Sequence, residues 1–199
     1  MIKCALENEK CCNESETSEY RDQLKKWCDH ARYLGRKNDL DGAVRLYKLV
    51  LRTDRNHLRA LANLGAILHQ KSDIPMARLL YSRVLRINPG HINTLYNFAR
   101  LEHDCNNYEE ARELYERAFN VKSSNIDAKC SILAYYGLLL LDAFSMNADA
   151  DRCFCVSLSI QPNHIQTLDH QCVLLEKTGQ HKAANELHKK ICDLDPAHR

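Results

Sequence analysis

The feature that most constrains this chain is a junction that recurs along it at a near-constant interval. Asp54-Arg55-Asn56-His57, Asn88-Pro89-Gly90-His91, Gln161-Pro162-Asn163-His164 and Asp195-Pro196-Ala197-His198 share one form, and Lys122-Ser123-Ser124-Asn125 is a degenerate fifth. His57 to His91, His91 to Asn125 and His164 to His198 each span 34 residues, whereas Asn125 to His164 spans 39, so the fourth unit carries five extra residues. Self-similarity at such a period is the mark of a chain built from stacked units rather than from one globular core.

Within each period the small and apolar residues fall at fixed offsets. With Leu58 as position 1, Leu61, Leu64, Gly65 and Leu68 occupy positions 4, 7, 8 and 11, and Ala77, Tyr81, Val84 and Pro89 occupy 20, 24, 27 and 32. Leu95, Phe98, Ala99, Ala111, Tyr115 and Ala118 repeat the pattern, as do Trp27, Ala31, Leu34, Ala43, Tyr47 and Val50 before them and Leu168, Cys172, Leu175, Ala184 and Ile191 at the end. The first set is an apolar stripe at helical spacing and the second set is another, which predicts two helices per unit. Small residues at 8 and 20 let the two helices approach closely, and the aromatic at 24 fills the space beside them. Neither helix buries its stripe alone, so the units must stack. Asn38-Asp39, Ser72-Asp73, Asn106-Asn107 and Thr178-Gly179 supply the turn between the helices of a pair. Only 6 Gly and 4 Pro in 199 residues argue against an all-β fold.

This arrangement of Trp or Leu, Leu, Gly or Ala, then Ala, Tyr, Ala or Val, and Pro resembles the tetratricopeptide repeat (TPR). The resemblance covers about residues 24 to 197 and implies an all-α fold, a right-handed superhelical solenoid of antiparallel helix pairs. The expected repeats are 24–57, 58–91, 92–125, 126–164 and 165–198, in an array over 20–199. Arg55 and Ser123 stand where Pro is usual, and the first helix of the fourth unit is irregular. Residues 1–19 lie outside the pattern; five Glu and one Lys between Glu7 and Glu19 read as a flexible acidic tail.

No catalytic motif is present: neither a phosphate-binding glycine loop nor a nucleophile elbow nor HExxH occurs. His57, His91, His164 and His198 share one repeat position, which marks a helix start rather than a metal cluster, so neither metal nor cofactor is expected. The ten cysteines are scattered without a CxxC pair and read as free thiols in a reducing compartment. The net charge of +2 gives no general attraction to nucleic acid or membrane. Without a signal-like segment or a membrane-length apolar run, the expectation is an intracellular, cytoplasmic chain that is not an enzyme.

What remains is the groove that first helices line in TPR arrays, through positions 2, 5, 6, 9, 12 and 13. The resemblance therefore implies a peptide-binding surface holding Lys25, Arg32, Arg36, Arg59, Asn63, Tyr96, Asn97, Arg100 and His170. If the Pro162 junction sets the register of the fourth unit, Tyr135, Tyr136 and Leu139 join it. Asn63 and Asn97 share position 6, where an amide both donates to and accepts from a bound peptide backbone. Lys25, Arg32, Arg36, Arg59 and Arg100 make the first three units basic. The positions of the chaperone-binding carboxylate clamp read Cys28, Arg32, Asn63, Asn93 and Asn97, one match in five, which disfavours a clamp of the usual kind. The expected partner is a protein or peptide, acidic or aromatic-containing. RNA binding, as in half-TPR arrays, and a module anchoring an enzyme complex are the alternatives; near-neutral charge and the lack of a basic stripe on the second helices count against RNA.

Overall fold

A computed structural model describes the backbone of residues 2–196 and the side chains of residues 19–196. The expected acidic tail, apart from Glu19, and His198 lie outside the described side chains. Among the described residues there are ten helices and no strand: α1 (Ile2–Arg36), α2 (Leu40–Thr53), α3 (Leu58–Gln70), α4 (Ile74–Ile87), α5 (Ile92–Asp104), α6 (Tyr108–Asn120), α7 (Ile126–Ala143), α8 (Asn147–Ile160), α9 (Ile165–Lys177) and α10 (His181–Leu194). The chain divides into two compact units, Met1–Ile87 and Asn88–Arg199. In the first, α1 pairs with α2 and α3 with α4, and α3 also packs on α1 and α2. In the second, α5 pairs with α6, α7 with α8 and α9 with α10; α7 packs back on α5 and α6, and α9 on α7 and α8.

Local chemistry fixes both ends of the first helix of a pair. Its start is capped by the junction residue: His57 Nδ1 accepts from the Ala60 N–H at 3.2 Å and Asn125 Oδ1 from the Ala128 N–H at 3.1 Å. His91 and His164 instead pair Nδ1 with the hydroxyls of Thr94 (2.8 Å) and Thr167 (2.7 Å). These imidazoles occupy the place more often taken by Ser, Asn or Asp, where a side-chain acceptor satisfies free N–H groups. The far end closes on a left-handed residue, Asn38, Ser72, Asn106 or Gly179, with φ between 61° and 75°. The next N–H, that of Asp39, Asp73, Asn107 or Gln180, reaches back five residues to the carbonyl of Leu34, Leu68, Glu102 or Leu175 at 2.8–2.9 Å. This is the Schellman closure, which satisfies the last carbonyls of the helix and turns the chain toward its partner.

The core follows the repeat positions. Ala43, Ala77, Ala111, Ala150 and Ala184 are buried at position 20, and Tyr47, Tyr81, Tyr115 and Phe154 at position 24. Gly65 faces Tyr81 so closely that a Cβ there would lie 2.7 Å from the ring. In the final pair His188 occupies the aromatic position and is exposed, while Ile191 is buried.

The fourth pair shows where the five extra residues went. Helix α7 has 18 residues where α3, α5 and α9 have 13. Gly137 meets Phe154 as Gly65 meets Tyr81, with a Cβ at Gly137 falling 2.5 Å from the ring. Gly137 is therefore position 8, and four of the extra residues form an added first turn ahead of Cys130. The fifth lies at the far end, where the N–H of Met146 reaches back six residues to the Leu140 carbonyl, at 3.0 Å. This corrects the register expected from Pro162. Leu139 lies in the core, fully buried. Tyr135 occupies position 6, the place of Asn63 and Asn97, and Tyr136 occupies position 7, on the packing stripe.

Candidate functional site

In Met1–Ile87, the facing sides of α1 and α3 enclose a concavity of about 240 Å³, lined by Arg32, Arg36, Asn63, Ile67, Gln70 and Tyr47 among others. Gly35, Ala66 and Ile67 give it an apolar floor. Asn63 donates from Nδ2 to the Tyr47 hydroxyl at 3.1 Å, which leaves its Oδ1 as an acceptor and the Tyr47 O–H as a donor. Burial raises the Tyr47 pKa, so the phenol stays a neutral donor at ordinary pH. Asp29 holds both Arg32 (3.0 Å) and Arg59. Lys25 and Arg36 are exposed and make no ion pair among the described residues. Four cations thus stand against one carboxylate, and α3 itself carries no acid. Exposed pairs of this kind contribute about 1 kcal/mol or less and are screened by salt, so both Asp29 contacts are exchangeable.

In Asn88–Arg199, Tyr96 and Arg100 from α5, Tyr135 from α7 and His170 from α9 come together. The Arg100 guanidinium lies 4.6 Å from the Tyr135 ring centroid and 5.7 Å from that of Tyr96. Tyr96 and Tyr135 meet edge to face at 5.6 Å, and Tyr135 and His170 at 4.8 Å. His170 Nδ1–H donates to the Ala134 carbonyl at 3.1 Å, which leaves Nε2 as the free nitrogen of the neutral ring. Burial holds the His170 pKa below the usual imidazole value and raises that of Tyr96. Beside this cluster lies a concavity of about 420 Å³, walled by Arg100, Tyr135, Leu138, His103, Tyr108 and Asp142 among others. Asp142 is paired with Lys177 Nζ at 2.7 Å.

Of the expected residues, Arg32, Arg36 and Asn63 share the first concavity, with Arg59 joined to it through Asp29 and Lys25 exposed on the same helix. Tyr96, Arg100, Tyr135 and His170 share the second unit's cluster; Asn97 is half-buried on α5 beside it. Tyr136 does not join them. It donates to Glu116 Oε1 on α6 at 3.0 Å and packs on the Tyr115 ring, because position 7 faces the preceding pair. Tyr47 and Tyr108 escape a sequence reading that looks only at first helices. Tyr47 sits on a second helix yet lines the concavity beside Asn63, and Tyr108 follows the turn after α5. Their signals were the hydroxyl on a position-24 aromatic and the polar Asn106-Asn107-Tyr108 turn.

No group of three or more His, Cys, Asp or Glu side chains that could hold a metal occurs among the described residues. No described helix is long and apolar enough to cross a membrane. Stacked antiparallel helix pairs at a fixed period define an α-helical repeat protein. Two models of the tetratricopeptide repeat match the sequence, over residues 28–92 and 91–122. No curated protein matches. Among solved structures, the thermophilic TPR protein TTC0263 of Thermus thermophilus superposes with a TM-score of 0.76 at 13% identity, over 88% of this chain and 93% of that one. PilF of Pseudomonas aeruginosa gives 0.74 at 17%, over 85% of this chain and 75% of that one. YrrB, a TPR protein with an unusual peptide-binding site, gives 0.56 at 19%, over 86% of each. The sequence thus matches the tetratricopeptide repeat over residues 28–122, and the ten described helices fit about five repeats of that fold.

Proposed function

We propose that this protein is a non-catalytic scaffold that binds an extended, acidic protein segment on the first-helix faces of its repeats. One observation carries the reading: the concavity between α1 and α3 sets Arg32 and Arg36 around an apolar floor with the Asn63–Tyr47 pair at its side. That combination suits an extended peptide. The amide and phenol meet its backbone, the arginines its carboxylates, and Gly35 and Ala66 leave room for close approach. The peptide-binding site of YrrB supports protein or peptide partners for this fold in general. We place it in an intracellular, cytoplasmic setting, where its cysteines would stay reduced.

The test is fluorescence anisotropy with labelled, end-capped decapeptide pools that differ only in Glu against Gln content. The Glu pool should bind about tenfold tighter at low salt, a difference of ~1.4 kcal/mol, and the gap should close as salt rises. Arg32→Ala with Arg36→Ala should remove the preference, while Asn63→Ala should weaken both pools. Equal affinity of the two pools at low salt would refute the acidic reading, and no binding of either pool would refute the peptide reading.

A further inference from the structure

The concavity of the second unit is balanced in charge. Two cations and two carboxylates stand around it. Asp104 lies within electrostatic reach of Arg100, which also bonds to Tyr96, and Asp142 holds Lys177 Nζ at 2.7 Å. A cation placed in this space meets Arg100, and an anion meets both carboxylates, so neither sign of charge is favoured over the other. Burial, against the pull of Asp142 and Asp104, holds the His103 pKa below the usual imidazole value, so that ring adds no charge above the imidazole range.

What the pairing leaves unmatched is ring surface and one acceptor. Tyr135, His103, Tyr108 and Leu138 line the space of about 420 Å³, and each is only half-buried. The two tyrosine rings are held by other groups of the protein. Tyr135 rests against Tyr96, Arg100 and His170. Tyr108 donates its hydroxyl to Asn106 Oδ1 at 2.6 Å and meets the His103 ring edge to face at 5.9 Å. Walls that are ordered beforehand cut the cost of binding. Asp142 lines the same space; Lys177 bonds its Oδ1, and no hydrogen bond among the described residues engages its Oδ2. A carboxylate accepts at both oxygens, so this one can take a neutral donor and keep its lysine.

We propose that this concavity is a socket for an aromatic side chain carrying one polar hydrogen, an indole or a phenol, in the bound segment. The ring packs among Tyr108, Tyr135 and Leu138, and its N–H or O–H donates to Asp142. The proposal rests on the peptide-binding reading for the segment that carries the ring, and it adds a side-chain preference to the acidic preference of the first unit. Such side chains bury a large area while keeping one end polar, which is why they anchor interfaces. A phenylalanine fills the same walls and leaves the carboxylate without a donor.

The test is NMR titration of the whole protein with end-capped Gly-X-Gly peptides, X being Trp, Tyr, Phe, 1-methyltryptophan, Glu or Lys, read at the Leu138 methyl groups. Trp and Tyr peptides should give a saturable ring-current shift there and bind about fivefold tighter than Phe or methylated Trp, the worth of one hydrogen bond. Glu and Lys peptides should give no saturable shift. Tyr108→Ala should weaken every aromatic peptide, whereas Asp142→Ala should erase the advantage of Trp over its methylated form and leave Phe unchanged. Both variants replace side chains that are not fully buried, and circular dichroism melts establish that each is folded. Equal affinity of Trp and its methylated form, tighter binding of Glu or Lys than of Trp, or a shift at Leu138 no larger than at exposed Leu49 would overturn the proposal. If the Glu-rich pool still binds through Arg32 and Arg36 while Leu138 is silent, the socket fails and the scaffold reading stands.

Discussion

Substituting Gly137 by alanine tests the register of the fourth repeat, on which the position of Tyr135 depends. The new Cβ would fall 2.5 Å from Cε1 of Phe154, closer than real Cβ atoms come, and 3.0 Å from its Cζ, a tight contact. The ring has little freedom to yield: Phe154 is fully buried among Leu140, Leu141, Ala150 and Leu174. Overpacking of this sort costs roughly 1–3 kcal/mol, and the closed surroundings favour the upper end. Against this, alanine is better than glycine inside a helix by about 1 kcal/mol. The net expectation is a loss of about 2 kcal/mol, or a fall in melting temperature of about 4–8 °C for a chain of this size. Gly35 provides the internal control, because a Cβ there meets only the Ile67 Cδ1, at 3.8 Å, an ordinary contact. Gly35→Ala should therefore gain up to about 1 kcal/mol from propensity alone. Circular dichroism melts of the two variants read both signs. Phe154→Leu should relieve the clash, so the double variant should lose less than the sum of the single losses. A Gly137→Ala protein as stable as Gly35→Ala would mean that Gly137 does not sit against Phe154, and the position of Tyr135 would fall with it.

Three further outcomes follow from the same structure. Tyr136→Ala should lower stability by about 2 kcal/mol or more, as a packed aromatic does, and leave peptide affinity unchanged, whereas Tyr135→Ala should cost about 2 kcal/mol of binding; calorimetric melts and anisotropy separate the two, and the reverse pattern would refute the assignment. Burial lowers the pKa of His91 and His164 below the usual imidazole value, so their stabilising contribution is present above that value and is lost as pH falls through their folded values. Denaturant midpoints compared at about pH 7.5 and 5.5, on either side of the imidazole range, should fall less in a His91→Asn, His164→Asn protein, whose caps do not titrate, than in the wild type; equal losses would count against the mechanism. Deleting residues 1–19 should tighten acidic-peptide binding at low salt if that segment, with five Glu and one Lys between Glu7 and Glu19, competes for Arg32 and Arg36 at high effective concentration; unchanged affinity would dismiss the competition.

The sequence made most of the architecture legible because the repeat is a packing rule written in small and aromatic residues. Ala at position 20 and an aromatic at 24 mark a close helix contact wherever they occur, and the turns at Asn38, Ser72, Asn106 and Gly179 close each first helix in the same way. The fourth repeat was readable in length but not in register. Counting from Pro162 assumes that all five extra residues precede the groove positions, whereas one of them lies after, in the turn at Ser145. A single residue in a helix rotates every following side chain by about 100°, which is enough to move Leu139 from the expected groove into the core and Tyr136 onto α6. Only the Gly137–Phe154 contact fixes the phase, and that contact is a three-dimensional fact with a faint sequence trace, the lone glycine in an otherwise bulky run.

That phase decides the chemistry of the second unit. In the second repeat, position 6 is Asn63, whose donor is engaged by Tyr47 and whose remaining groups suit a peptide backbone. In the fourth repeat the same position is Tyr135, which cannot pair with a backbone amide in that way and instead lies against Arg100 and His170. The substitution is therefore not a weakened copy of the amide site. It replaces an amide with an aromatic ring against a cation, so one unit carries exposed, exchangeable arginines and the other a half-buried, ring-supported one. Exposed charges steer and are sensitive to salt, whereas an oriented, part-buried charge discriminates by geometry.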